Sequence, residues 1–282
     1  MGASFVVTLR EGFEAALLLG IVYAFLAQTP LHRHHGWVTA GAALGLAASI
    51  LLGVSVSFAS GPLLDIGPDL IAAAIMLVAV VLLTWHAWWM QQHARGLSGD
   101  VHRQIEVARA TGNLSVLAGI AFTAVFREGA ETVLFLWGLM AQTPMTGSAG
   151  LLGAVAGVAT AAVLGWLVFR GGRRIPVRRF FAVTTTLLVF VAAGLLASAV
   201  SRLDGLGYLP STATLWDASW LLEEGRGVGG FLAGFVGYRS RPTMLETAAW
   251  LGYLAVAAAL LWRPARKVRA SAAAPSAGLT PR

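Results

Sequence analysis

The stretch Arg10–Glu14, which reads Arg-Glu-Gly-Phe-Glu, lies inside an otherwise apolar run at about residues 4–27. A related stretch, Arg127–Glu131, reads Arg-Glu-Gly-Ala-Glu and lies inside a second apolar run at residues 114–141. Both runs are long enough to cross a bilayer as helices, which takes about 20 residues. A charge at the centre of a membrane helix costs at least about 2.5 kcal/mol. Three charges in five residues, used twice, therefore indicate a functional site within the membrane.

The composition excludes an ordinary soluble domain. The 282 residues are 57% hydrophobic and 12% charged, with a mean hydropathy of +0.74, whereas soluble domains are about 25% charged. The chain has no cysteine, which excludes thiolate metal sites and cysteine nucleophiles. The N-terminus has no basic segment, and its charged motif interrupts the apolar run, so it does not read as a secretory signal peptide.

The distribution of apolar runs predicts an all-α polytopic membrane protein with seven transmembrane helices. The predicted spans cover residues 4–27, 37–59, 69–90, 114–141, 150–169, 180–201 and 243–262. A loop at 202–242 is too rich in aromatic and aliphatic residues for a free linker, which favours a re-entrant or surface-lying segment. The tail at 263–282 is rich in Ala, Ser, Pro and Arg, a composition typical of disorder.

The basic residues predict the orientation of the chain. Most of the 20 Lys and Arg residues fall in the 28–36, 91–113 and 170–179 loops and in the tail. Positive charge concentrates in cytoplasmic loops, so we expect the N-terminus outside and the C-terminus in the cytoplasm. Because topology and contact with the lipid bilayer account for the basic excess, and no nucleic-acid motif accompanies it, no nucleic-acid partner is expected.

This orientation sends spans 1 and 4 through the membrane in opposite directions. Residues 4–90 and 114–201 would then form two inverted repeats, followed by the outer loop and a seventh helix at 243–262. Inverted repeats with an ion site at their midplane interface are a common transporter architecture. Small-xxx-small glycine pairs favour close helix packing and occur at Gly41/Gly45, Gly153/Gly157 and Gly230/Gly234.

The spacing inside each motif brings its carboxylates together. Glu11 and Glu14 are three residues apart, as are Glu128 and Glu131, and residues at this spacing share one helix face. Arg10 and Arg127 each lie four residues before the second Glu of their motif and can neutralise it. Gly12 and Gly129 leave room for a backbone or an ion to approach. The four glutamates are therefore the predicted metal ligands.

Oxygen-only ligation favours hard cations and does not separate iron from manganese, magnesium or calcium. A structural salt-bridge network, a permease for manganese or another divalent cation, and a scaffolding role are the alternatives. A membrane-embedded di-metal carboxylate enzyme is a further one, although such sites usually add Glu-x-x-His and no histidine lies near either motif in sequence. No catalytic residue and no tightly bound cofactor are predicted.

With these motifs the chain resembles the oxidase-coupled high-affinity iron permease family of fungi and bacteria, more closely its bacterial members. The resemblance extends to Leu83-Thr84-Trp85, to Leu215-Trp216-Asp217, and to Phe235-Val236-Gly237-Tyr238 followed by Pro242 and Glu246. It implies iron uptake across the bacterial inner (cell) membrane through Glu11, Glu14, Glu128 and Glu131, with ferric iron as the usual species. It also implies an extracytoplasmic ferroxidase or iron-delivery protein as a partner. Relatives often carry Glu-Gly where this chain has Ala72-Ala73.

Four further acidic residues, Asp65, Asp69, Asp217 and Glu246, are candidate cation-attracting positions on the outer face, where solvation or helix capping is the alternative. His32, His34 and His35 could collect metal on the cytoplasmic side or could be an ordinary polar loop. His86 follows Trp85 and precedes Trp88 and Trp89. Aromatic belts mark membrane interfaces, so His86 is predicted to be interfacial.

Overall fold

A computed structural model describes residues 1–27, 34–93, 115–142, 147–170, 177–224 and 227–262. Eight helices account for most of these residues: α1 Gly2–Ala27, α2 His35–Ile66, α3 Pro68–His93, α4 Ser115–Gln142, α5 Gly147–Phe169, α6 Val177–Gly205, α7 Gly227–Val236 and α8 Met244–Trp262. Extended pairing within the described ranges is limited to one isolated bridge between Thr214 and Thr243. The all-α prediction is confirmed.

The helices have the length and polarity of an integral membrane protein. Five of them, α2, α3, α5, α6 and α8, are long and apolar enough to cross a membrane. Helices α1 and α4 are also long, at 26 and 28 residues, but each carries a charged motif near its middle. The two long helices that lack a fully apolar window are thus the two that carry the predicted glutamates.

Helices of the first half of the chain pack mainly against helices of the second half. Helix α1 packs most extensively against α5, and α2 packs most extensively against α4. Helices α3 and α6 pack against each other, and α1 and α4 meet between these pairs. The main apolar core lies where α1, α3, α4 and α6 come together, and it includes Val7, Met76, Phe135 and Leu195.

Glycines allow the closest helix contacts. A Cβ added at Gly41 or Gly45 in α2 would lie 2.1 Å from the Ala118 carbonyl oxygen or 2.7 Å from that of Phe122 in α4. The α5 glycines make matching contacts with α1, because a Cβ at Gly153 would lie 2.4 Å from the Met1 carbonyl oxygen and one at Gly157 2.5 Å from that of Phe5. These two glycine pairs pack as predicted, whereas Gly234 faces open space.

Two connections differ from the sequence prediction. The expected outer loop at 60–68 is largely helical, because α2 continues to Ile66 and only Gly67 separates it from α3. The predicted 202–242 loop begins as the last turn of α6 and contains α7, which packs against α6 and α1. Gly237, with φ of +73°, ends this segment against Gly194, where a Cβ would lie 2.3 Å from the Gly194 Cα. The predicted disordered tail at 263–282 lies outside the described residues.

Candidate metal centre

The motif glutamates of α1 and α4 converge in the middle of the fold. Glu11, Glu14 and Glu128 are buried, and Glu131 is about one quarter exposed. One oxygen from each of Glu11, Glu128 and Glu131 falls within 4.8 Å of the others, and Glu11, Glu14 and His86 form a second such triad. Glu11 belongs to both triads. The structure therefore brings together all four glutamates that the sequence singled out.

Arg10 pairs with both carboxylates of its own helix. Its side chain is 1% exposed, with Nη1 2.7 Å from Glu11 Oε1 and Nη2 2.8 Å from Glu14 Oε1. Burying either partner alone would cost several kcal/mol. Arg10 therefore supplies one buried positive charge that the two adjacent carboxylates share.

Arg127 has a different environment from Arg10. Its side chain is 41% exposed, with Nε 3.1 Å from Glu131 Oε1 and 4.0 Å from Glu128 Oε1. Its guanidinium also lies 4.3 Å from the ring centroid of Trp89 in α3, a favourable cation–π arrangement. The second motif is therefore less enclosed than the first.

The prediction that His86 lies at the membrane interface is wrong. Its side chain is 4% exposed, and Nε2 lies 3.6 Å from Glu11 Oε2 and 3.7 Å from Glu14 Oε2. Nδ1 pairs with Glu131 Oε2, and the ring meets Phe135 edge-on. No histidine lies near either motif in sequence. In the folded structure, however, α3 brings His86 into contact with the glutamates of both motifs.

Several buried polar atoms at this centre have no hydrogen-bond partner among the described residues. They include Glu11 Oε2, Glu128 Oε2 and His86 Nε2. Buried polar atoms are nearly always satisfied in folded proteins, and each exception asks for an explanation. A cation between these atoms would satisfy them, because all three offer lone pairs when unprotonated.

The glycine of each motif allows a neighbouring helix to approach the carboxylates. A Cβ at Gly129 would lie 2.1 Å from Ser49 Oγ in α2, and one at Gly12 would lie 3.0 Å from the Ala161 Cβ in α5. The hydroxyl of Ser49 donates to the Gly45 carbonyl at 2.9 Å. Each motif glycine is therefore in close contact with the second helix of the opposite half, which is α2 for Gly129 and α5 for Gly12.

The candidate outer positions already have protein partners. Asp69 pairs with Arg202, and Asp217 lies 3.0 Å from Arg241 Nε. Hydrogen bonds from the Ser219 hydroxyl and backbone, with help from Arg241, lower the pKa of Asp217 to about 2. Asp65 falls within α2, in a stretch whose side chains lie outside the described set.

Glu246 forms a reciprocal cap at the start of α8. Its Oε2 accepts from the Thr243 backbone N–H at 3.2 Å, and its own N–H donates to Thr243 Oγ1 at 3.3 Å. This is the capping-box arrangement. Among the predicted cytoplasmic histidines, His34 and His35 lie at the beginning of α2, and His32 lies outside the described residues.

Acidic, basic and histidine side chains gathered between apolar membrane helices are typical of polytopic transport proteins. The model of the iron permease FTR1 family matches residues 1–268. The chain therefore belongs to that family, and the resemblance seen in the sequence is confirmed.

Curated relatives share most of their length with this chain. A protein of Escherichia coli O6:H1 strain CFT073, named ferrous iron permease EfeU, is 33% identical over 257 residues, covering 90% of this chain and 92% of its own. The Yersinia pestis protein of the same name is 28% identical over 284 residues, covering 100% of both chains. No solved structure matches this chain.

Proposed function

We propose that this protein imports iron across the bacterial inner membrane, with Glu11, Glu14, Glu128 and Glu131 forming the cation site. The convergence of these four carboxylates on one buried volume, around the shared Glu11, is the observation that carries the proposal. Oxygen donors that lack hydrogen-bond partners are suited to a cation that arrives and leaves. Because Arg10 and Arg127 balance only part of the negative charge, the cluster attracts a multivalent cation.

Two observations bear on the oxidation state of the transported iron, and they favour different species. The sequence resemblance implies ferric iron, supplied by an extracytoplasmic ferroxidase or delivery protein. The relatives are named ferrous iron permeases, and this favours Fe²⁺ at the membrane site. We therefore propose Fe²⁺ as the transported ion, and the ferric alternative with its oxidase partner is an outcome of the transport test below.

We further propose that seven helices span the membrane as a 3+3 inverted repeat, with α7 outside and α8 added. The same sequence offset relates Met1, Phe5 and Arg10 to Ala118, Phe122 and Arg127. The first two residues of each set are in close contact with a glycine pair of the opposite half. Gly153 and Gly157 meet Met1 and Phe5, and Gly41 and Gly45 meet Ala118 and Phe122 in the same way. This matching supports an exchange of the two halves, and rocking of one half against the other would open the centre to alternate sides.

The proposed orientation places the N-terminus outside and the C-terminus in the cytoplasm. It rests on the basic residues of the connecting loops, most of which lie beyond the described ranges. Reporter fusions at both termini, with opposite activity requirements inside and outside the cell, test the orientation. Equal reporter behaviour at the two ends would contradict an odd number of spans.

The transport test uses purified protein in vesicles with labelled iron supplied separately as Fe²⁺ and as chelated Fe³⁺. We expect uptake of Fe²⁺ by the wild type and background uptake by Glu14→Gln and Glu131→Gln. The matched control is Glu223→Gln, because Glu223 is an exposed glutamate of the outer segment. Wild-type rates in either motif variant would refute a direct role for these carboxylates.

A manganese permease and a di-metal carboxylate enzyme are the competing functions. Equal competition by Mn²⁺ and Fe²⁺ in the vesicle assay would support the first. The second gains one observation from the structure, since His86 stands beside the carboxylates, although it comes from a separate helix. Turnover of an organic substrate by the purified protein, without net ion movement, would support the enzyme.

A further inference from the structure

We propose that His86 is a direct nitrogen ligand for the transported cation, together with Glu11 and Glu14, and that Glu131 orients its ring. This inference rests on the proposed function and adds a residue that neither motif contains. It makes the centre a mixed nitrogen and oxygen site in place of an all-carboxylate one.

The position of Nε2 is the first argument. This atom is buried, has no hydrogen-bond partner among the described residues, and lies 3.6 Å and 3.7 Å from the nearest oxygens of Glu11 and Glu14. These distances are too long for hydrogen bonds. Separations of 3.6–3.7 Å are instead those of two ligand atoms that share a cation about 2.0–2.2 Å from each, and Glu11, Glu14 and His86 can each offer one such atom.

The partner of Nδ1 is the second argument. Nδ1 faces Glu131 Oε2, and the other oxygen of Glu131 is held by Arg127 at 3.1 Å. Metal-binding histidines almost always donate the N–H of their second ring nitrogen to a carboxylate or carbonyl, which fixes the tautomer and aims the ligating nitrogen. A proton on Nδ1 leaves the lone pair of Nε2 directed toward Glu11 and Glu14.

The two triads then define two neighbouring cation positions that share Glu11. In the first, Glu11, Glu14 and His86 bind the ion, and Glu131 acts through the imidazole. In the second, Glu11, Glu128 and Glu131 bind it through oxygen alone. A shared ligand allows an ion to move between positions without losing all of its coordination at once.

The nitrogen ligand has a consequence for selectivity. Imidazole suits iron, zinc, copper and nickel, whereas sites built from carboxylate, carbonyl and water suit magnesium, calcium and manganese. His86 should therefore favour Fe²⁺ over Ca²⁺ and Mg²⁺, which are far more abundant hard cations. Replacing His86 by Gln removes this nitrogen and supplies an oxygen donor in its place.

The test uses the full-length protein in detergent with Mn²⁺ as a paramagnetic probe, read by pulsed EPR. We expect the wild type with bound Mn²⁺ to show nitrogen modulation typical of one coordinated imidazole. His86→Gln should lose that modulation, and its preference for Fe²⁺ over Ca²⁺ should fall by at least about 2-fold. The matched control is His93→Gln, the same change at the last residue of α3, which should keep both the modulation and the preference for Fe²⁺.

The outcomes separate this inference from the proposed function. Iron uptake by the wild type without imidazole modulation, or unchanged modulation in His86→Gln, overturns the role of His86 and leaves the carboxylate site standing. Failure of the wild type to bind Mn²⁺ and to move iron contradicts the site as a whole. A His86→Gln protein whose preference for Fe²⁺ over Ca²⁺ falls by less than about 2-fold also counts against the nitrogen ligand.

The orienting role of Glu131 has its own readout. In Glu131→Gln the side-chain carbonyl can still accept a hydrogen bond from the Nδ1–H, so the nitrogen modulation should persist while the affinity falls. Glu131→Leu removes the acceptor and should weaken or broaden the modulation. Identical spectra for the Gln and Leu variants would contradict the orienting role.

Discussion

Gly129 of α4 lies so close to Ser49 of α2 that an added Cβ would be 2.1 Å from the Ser49 hydroxyl oxygen and 2.5 Å from its Cβ. A methyl group at this position must push α2 away from the centre, because the second contact is not with a flexible side-chain end. The contact links the glycine of the second motif directly to the packing of the two halves.

We expect Gly129→Ala to destabilise the protein by about 1–3 kcal/mol, the usual cost of overpacking, and to reduce iron uptake. The measurement is thermal unfolding in detergent alongside vesicle transport. Gly119→Ala on the same helix is the matched control, since a Cβ there meets nothing within 4 Å. Equal thermal stability of the two variants would show that α2 can move away from α4 without destabilising the protein.

Arg10→Gln should be far more harmful than Arg127→Gln. Arg10 is fully enclosed with Glu11 and Glu14, and removing one partner of a buried ion pair costs about 3–5 kcal/mol. Arg127 is 41% exposed, so its loss is eased by solvent. Thermal stability of both variants checks the difference, and the double variant Arg10→Gln/Glu14→Gln should regain part of the stability without regaining transport.

Glu11→Gln should lower metal affinity more than Glu14→Gln or Glu128→Gln, because Glu11 is shared by both triads. Isothermal titration with Mn²⁺ compares Glu11→Gln with Glu14→Gln and Glu128→Gln, each of which removes a carboxylate from one triad only. A Glu11 variant that binds as well as the other two would contradict the two-position arrangement.

Glu246 offers a test that separates capping from cation attraction. Gln can replace Glu in a capping box, so Glu246→Gln should keep both the stability and the uptake rate. Glu246→Ala should lose about 1 kcal/mol through the missing cap. Reduced uptake by a stable Glu246→Gln protein would instead assign its charge to the outer path of the ion.

The residues of the motif were predictable because their physical cost in a membrane is visible without a structure. Three charges in an apolar run have few explanations, and spacing alone placed Glu11 beside Glu14 and Glu128 beside Glu131. The glycine pairs at 41/45 and 153/157 were predictable for a similar reason, since small residues repeated on one helix face favour close approach.

His86 could not be found in the same way. It lies near the end of a long helix, among tryptophans, and its depth counted along α3 says nothing about how α3 is shifted against α1 and α4. The pairing of α3 with α6 and its contact with α4 set that shift, and these are long-range contacts. Similarly, the partners of Asp69 and Asp217 come from α6 and from the segment before α8, so spacing gave no hint of them.

The unequal surroundings of Arg10 and Arg127 give the two motifs different costs of rearrangement. Displacing Arg10 would remove the counter-charge of two buried carboxylates, whereas Arg127 can exchange its contacts with Glu131 and the Trp89 ring for solvent. On the proposed rocking mechanism, we therefore expect α1 to keep its position at the centre while α4 moves.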